Sequence, residues 1–195
     1  MIEPIARIRI ELQGIEPRIW RRVDVPLTAT LQSLHDVIQA LMRWEYAHLF
    51  EFHVGNRIYG QPDPEMESFG HKVYQARNIR LGQLIDRGVD RFLYIYDFGD
   101  NWQHDVIVEE VRSGDKFIAY PSFVDGARRA PPEDVGGVSG FEEFLEAIAN
   151  PNHEEHEHML GWCGGAFDPD NIDEREIRRS LAVLAEFRSR ARKRR

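Results

Sequence analysis

The chain has 195 residues, 42% of them hydrophobic and 11% aromatic, and its formal net charge is −8 at pH 7. That apolar fraction supplies one hydrophobic core, and no apolar run approaches the roughly 20 residues of a membrane span. A single cysteine, Cys163, excludes an internal disulfide and a thiolate cluster, and Met1-Ile2-Glu3-Pro4 leads into strand-like sequence, not a secretory leader. A cytoplasmic location and no membrane association are expected.

Ala6–Leu12 alternates, with Ile8, Ile10 and Leu12 on one face and Arg7, Arg9 and Glu11 on the other. Arg18–Val25 is a second strand, and Gly14-Ile15-Glu16-Pro17 breaks the chain between the two. Trp20-Arg21-Arg22 reads either as a stacking and phosphate-binding element or, more plainly, as a tryptophan under arginine stems. Thr30 is placed to cap a helix in which Leu31, Leu34, Val37, Ile38, Leu41 and Met42 recur at helical spacing. Trp44, Tyr46 and His48 follow it. Phe50–Val54 and Arg57–Tyr59 read as strands about a Gly55-Asn56 turn, Pro62–Gly70 as a loop, and Leu81, Leu84 and Ile85 as a short helix.

Arg91–Glu110, RFLYIYDFGDNWQHDVIVEE, is the densest aromatic and β-prone stretch. Gly99-Asp100-Asn101 reads as a three-residue hairpin loop. That loop sets Phe98 opposite Trp102, Tyr96 opposite His104 and Tyr94 opposite Val106, with one aromatic and aliphatic face. In this register Asp97 and His104 point to opposite faces, so Asp100 is the carboxylate expected to reach His104. A polar site of Asp100, Trp102 and His104 competes with a turn aspartate beside a core-edge histidine. Trp44, His48, Trp102 and His104 line a shared pocket if the long helix crosses this hairpin.

Asp125–Gly140 reads as a long irregular loop in which Glu133 and Asp134 are candidate ligands or acids. Ser139 and Glu142 fit a capping box for a helix over Phe141–Ala149. His153–Trp162 reads as another helix, with His153 and His156 on one face as weak metal candidates; the spacing is not that of a zincin helix. A last helix, about 173–190, has Ile177, Leu181, Leu184 and Phe187 as its stripe. Residues 188–195, RSRARKRR, hold six of the 25 basic residues. They are expected to form a disordered tail outside a domain of residues 1–187. Arg190, Arg192, Lys193, Arg194 and Arg195 are the nucleic-acid-binding candidates.

GIEPRIWRRVDVP, LQSLHDVIQALMRW with HLFEFHVG, YDFGDNWQHDVIVE, APPEDVGGVSGFEEFLEAI and FDPDNIDEREI together resemble the plasmid pRiA4b ORF-3-like family, over about residues 4 to 187. The resemblance implies an α+β, roll-like domain of bacterial or archaeal proteins and no defined activity. A resolvase role attached to some members finds no support here, because the first serine, Ser33, falls inside the amphipathic helix. Where relatives carry cysteines flanking the PPED segment this chain has Phe123, Ala130 and Val135, so no thiolate zinc site is expected. The cofactor is otherwise undefined.

The fold expected is α+β: a mainly antiparallel sheet with an amphipathic helix packed on it and helices at the C-terminal end. The function expected is a non-enzymatic binding module for protein or nucleic acid. The alternative is a metal-dependent hydrolase or nuclease using Asp100, His104 and Asp134.

Overall fold

The computed structural model of the protein describes residues 2–62 and 72–193, without the side chains of 192 and 193. In chain order the elements are β1 (Pro4–Leu12), β2 (Trp20–Pro26), α1 (Leu31–Met42), β3 (Phe50–Val54), β4 (Arg57–Gly60), β5 (Val73–Gln75), a single 3-10 turn (Ala76–Asn78) and α2 (Leu81–Ile85). Then come β6 (Arg91–Tyr96), β7 (Trp102–Ser113), β8 (Ser122–Ala127), α3 (Gly137–Ala149), α4 (His156–Trp162) and α5 (Glu174–Lys193). The strands form one sheet in the order β5-β4-β3-β6-β7-β1-β2-β8. Every pairing is antiparallel except β4 with β5. The expected α+β class holds. Most of the expected Pro62–Gly70 loop lies outside the described residues.

Period-two alternation decides which side of the sheet is covered. Ile8, Ile10 and Leu12 of β1, Phe92, Tyr94 and Tyr96 of β6, and Trp102, His104 and Val106 of β7 are all buried. α1 lies over this face. Thr30 caps it as expected, its hydroxyl accepting from the Ser33 amide at 3.1 Å. Leu31, Leu34, Val37, Ile38 and Leu41 are buried beneath it. Its polar residues reach the sheet too: the His35 ring stacks on Phe50 at 3.7 Å, and its Nδ1 lies 2.8 Å from the Tyr94 hydroxyl.

Arg21 sits on the covered side of β2, 1% exposed. Its guanidinium donates to the carbonyls of Leu41, Trp20 and Ala127, tying the last turn of α1 to the β2–β8 edge. Burial pulls its pKa down to about 10. On the open side, Arg9 and Arg22 hold their guanidinium carbons 4.7 and 5.1 Å from the Trp20 ring centroid. The WRR stretch therefore serves packing, and Arg22 together with Arg9 of β1 brackets the indole.

Three helix boundaries differ from expectation, and one of them is the start of α4 at His156 in place of His153. α3 begins at Gly137 with Gly136 as its cap and no side-chain cap, so Ser139 falls inside the first turn. α5 continues through Lys193. Arg188 donates to the Glu3 carboxylate and to the Thr28 hydroxyl, and Arg190 to Glu186. Residues 188–193 thus extend the last helix, while Arg194 and Arg195 lie outside the described residues. The buried stripe of α5 is Ile177, Leu181 and Ala185, and Phe187 is 64% exposed. No helix of the described residues is long and apolar enough to cross a membrane.

Candidate functional site

The tip of the β6–β7 hairpin begins the site. β6 and β7 pair Tyr96 with Trp102, Tyr94 with His104 and Phe92 with Val106. This is two residues away from the register expected, so the faces are as expected but the loop has five residues, 97–101. Asp97 and Asn101 both take left-handed backbone, with φ 55°. The Asp97 carboxylate accepts from the Gly99 amide at 2.9 Å through Oδ1, an Asx turn that closes the loop.

Two other segments meet this tip. In the loop before α3, Asp134 (φ 59°), Gly136 (φ 95°) and Gly137 (φ 69°) turn the chain sharply. The Gly136 amide donates to Asp100 Oδ2 at 3.1 Å. A Cβ on Gly137 would lie 2.6 Å from the Asp100 carbonyl oxygen, so only glycine allows the two loops to touch this closely. Asp100 thereby supplies the acceptor at the N-terminus of α3 that Ser139 was expected to supply. The third segment connects α1 to β3. Here the Trp44 Nε1 donates to the Pro131 carbonyl at 3.0 Å, and the Glu45 amide to Glu133 Oε2 at 2.6 Å. The Tyr96 hydroxyl donates to the other Glu133 oxygen and itself accepts from the His48 amide at 3.3 Å. Burial and the Glu133 carboxylate hold the Tyr96 hydroxyl well above its ordinary pKa.

Where the three segments meet, the His48 ring faces two carboxylates. Its Nε2 lies 2.8 Å from Asp134 Oδ1 and 3.5 Å from Asp97 Oδ2. One donor atom from each of the three residues falls within 4.8 Å of the others, and this is the one such group of three or more among the described residues. The side chain of Asp97 is 10% exposed, that of His48 30% and that of Asp134 66%, so the group has a buried floor and an open rim. Asp134 also borders a cleft of about 160 Å³ that Val135, His158, Met159 and Trp162 help to line.

Other candidates are placed differently. His104 is fully buried, and neither ring nitrogen has a hydrogen-bond partner. Burial lowers its pKa to about 3, outweighing the backbone of Tyr94 and Trp102 and the charge of Asp105. Asp100 is committed to Gly136 and Asp134 to His48. The expected Asp100–His104–Asp134 constellation is therefore not formed, because His104 belongs to the covered face of β7 and the carboxylates belong to the loops above it. Trp44 and Trp102 are also core, 5% and 1% exposed; Trp44 stacks on Tyr96 at 4.9 Å and meets His104 edge-on at 5.4 Å. The shared pocket expected for Trp44, His48, Trp102 and His104 is filled by these rings, and His48 alone reaches the surface. His153 and His156 do not share a helical face, because α4 starts only at His156. His153 Nδ1 accepts from the Glu155 amide, and His156 Nδ1 lies 2.9 Å from the Ala147 carbonyl. Phe123 and Ala130 are buried, and Arg178 lies over the Phe123 ring.

Asp97 is the member that sequence reasoning set aside, since strand alternation pointed it away from the histidine of its own hairpin. The signal for it lay in the density of turn-forming residues from Asp97 to Asn101, which takes Asp97 out of the strand.

The three segments of this junction lie within the span that relatives share. The model of the plasmid pRiA4b ORF-3-like protein family matches residues 4–176. The chain belongs to that family. Among its relatives is the uncharacterized protein y4hQ of Sinorhizobium fredii (strain NBRC 101917 / NGR234), 39% identical over 171 residues, or 85% of this chain and 84% of the other. A crystal structure of a protein of unknown function, MM3350 from Methanosarcina mazei Go1, is 36% identical and superposes with a TM-score of 0.81. That likeness covers 90% of this chain and 97% of MM3350. This member of the pRiA4b ORF-3-like family thus shares both sequence and fold with relatives over most of its length.

Proposed function

We propose that this protein is a non-enzymatic binding module of the cytoplasm that recognises another protein through the junction of the three loops. The observation that carries this reading is what surrounds the junction. Leu49 and Phe98, which flank His48 and Asp97 in sequence, are 54% and 52% exposed, and Trp162, in the cleft beside Asp134, is 45% exposed. Leu49 and Asp97 are adjoined by a backbone hydrogen bond of 3.0 Å. Exposed aromatic and aliphatic side chains around a polar centre are the composition of a protein-recognition patch. Two members of the expected hydrolase constellation are engaged otherwise: His104 is buried without a carboxylate partner, and Asp100 accepts from a backbone amide.

The test uses the full chain and a Phe98→Ser/Trp162→Ser variant as baits, under cross-linking, in the cells that make the protein. The expected result is at least one protein that the parent captures and the folded variant loses. Equal capture by both moves recognition elsewhere. Turnover of generic phosphodiester, ester or peptide substrates with added divalent metal, abolished by Asp134→Asn, overturns the non-enzymatic reading.

A second reading, nucleic-acid binding, rests on the arginine-rich end of α5. Arg188 and Arg190 are engaged with Glu3 and Glu186, and Arg192, Lys193, Arg194 and Arg195, whose side chains lie outside the described residues, are proposed as its carriers. Such contact is expected to be weak and to fall steeply between 50 and 200 mM salt, by roughly tenfold or more for a few phosphate contacts.

A further inference from the structure

We propose that His48, Asp97 and Asp134 form a binding site for a divalent transition-metal ion, zinc foremost. The first ground is the geometry around one atom. His48 Nε2 faces carboxylate oxygens at 2.8 and 3.5 Å. A ring nitrogen carries at most one proton, and that proton can point squarely at only one of them. A cation between the three donors serves all of them at once. Donors around a four-coordinate zinc lie about 3 to 3.5 Å apart, the range of the spacings at His48, and with all three donors within 4.8 Å of one another an ion need only draw the two carboxylates together.

The second ground is the buried floor. The Asp97 side chain is 10% exposed, and its Oδ2 is turned toward His48 while its Oδ1 is held by the Gly99 amide. A carboxylate this far from solvent is ordinarily paired with arginine or lysine. Here, among the described residues, the ion-pair partner of both Asp97 and Asp134 is His48. Glu133 and Asp100 add two more carboxylates to the same junction, which deepens its negative field.

The third ground is preorganisation. Each donor is fixed by contacts that leave the ligand atom free: the His48 amide on the Tyr96 hydroxyl, Asp97 by its Asx turn, and the Asp134 loop by Glu133 and Gly136 on either side. Such support is what distinguishes a built site from a chance encounter of acids. One imidazole with two carboxylates favours zinc and its transition-metal neighbours over calcium, which takes six to eight oxygens, and over magnesium, which keeps its waters. Three protein ligands, one of them 66% exposed, leave a coordination position open to solvent. The metal site does not depend on a protein partner. Its second consequence does rest on the proposed function: a partner segment seated in the cleft beside Asp134 comes alongside the ion and can fill the open position with a carboxylate.

The decisive experiment is a calorimetric titration of the chelator-stripped full chain with zinc at pH 7. Asp134→Asn, His48→Gln and a His153→Gln/His156→Gln/His158→Gln variant are run beside it. One equivalent is expected, weakened at least tenfold in the first two variants and unchanged in the third. Asp97→Asn, its fold checked by circular dichroism, is expected to weaken binding similarly. Absence of binding by the parent, or binding lost only in the triple histidine variant, overturns the site. Cobalt is expected to give visible bands without a thiolate charge-transfer band, and such a band overturns the assignment by implicating Cys163. Partner capture is then repeated with a chelator. Capture that survives chelation, with zinc binding intact in the titration, overturns the partner half alone, and a null titration overturns the metal site whatever capture shows.

Discussion

The open face of the sheet and the loop junction are both crowded with charge, yet they are organised in opposite ways. On the open face, Arg7 and Arg112 share Asp24 at 2.9 and 2.6 Å, Arg22 forks onto Glu109 at 2.6 and 2.9 Å, and Arg91 meets Asp105 at 2.9 Å. At the junction four carboxylates, those of Asp97, Asp100, Glu133 and Asp134, share one imidazole and otherwise rely on amides and a phenol. Strand periodicity explains the first arrangement. Side chains on one face stand in rows across the strands, so Arg7 meets Asp24 on the adjoining strand and Arg91 meets Asp105 diagonally, while Arg112 and Arg22 reach over β1 between β7 and β2. Loops impose no such pairing, and an excess of one sign survives there only if something else holds it. Imbalance of charge, more than its density, sets the junction apart from the sheet.

The largest effect that sharpens this contrast comes from the core beneath the junction. Burial lowers both His35 and His104 to about 3. In the unfolded chain each imidazole takes a proton near 6.5, so below that pH the unfolded state binds more protons than the folded one. Their contribution is complete above pH 6.5 and declines as pH falls toward 3. At pH 5 the loss is about 2 kcal/mol for each, read as the change in urea unfolding free energy from pH 7.5. His104→Leu should flatten that slope, which separates it from the titration of carboxylates.

Next in size is Gly137→Val, expected to cost about 3 kcal/mol by forcing a side chain into left-handed backbone against Asp100. Its thermal unfolding midpoint should fall with it, and an unchanged midpoint would mean that the two loops separate freely. At neutral pH, His104→Leu is expected to stabilise the fold by about 1 kcal/mol, because it removes a buried ring without hydrogen-bond partners. Lost stability there would reveal a partner for the imidazole. The smallest effect belongs to the open face: Arg22→Gln should cost below about 1 kcal/mol, and less at high salt, since its pair with Glu109 is partly solvated.

The sheet was legible wherever alternation carried it. β1, β2, β6 and β7 and the capped α1 follow from their sequences, because each buries one face against one core. The register of the central hairpin was legible only up to a slip of two residues. Such a slip leaves the faces unchanged, so hydrophobic pattern cannot separate Phe98 from Tyr96 as the partner of Trp102. The turn chemistry decides it, through the left-handed Asp97 and Asn101. His48 and Asp134 stood among the candidates, but their meeting was hidden because they are 86 residues apart. The start of α3 was misjudged for a related reason: its cap comes from Asp100, on another loop, and no local motif records that. Alternation already set Arg21 on the face of Ile19, Val23 and Val25; what the sequence did not show is the set of three carbonyls that holds its guanidinium there.

The place of β1 in the sheet has a consequence for how the molecule comes into being. β1 is the first strand made, yet it lies between β2 and β7, pairing with Trp20–Pro26 on one side and Trp102–Ser113 on the other. Its amino end is clasped later still, when Arg188 reaches Glu3. During synthesis it waits for partners about a hundred residues downstream, with only the β1–β2 hairpin to occupy one edge. Assembly therefore depends on a few long-range closures, the regime of high contact order and slow folding. A chain cut short anywhere before β7 would leave that hairpin with an open edge.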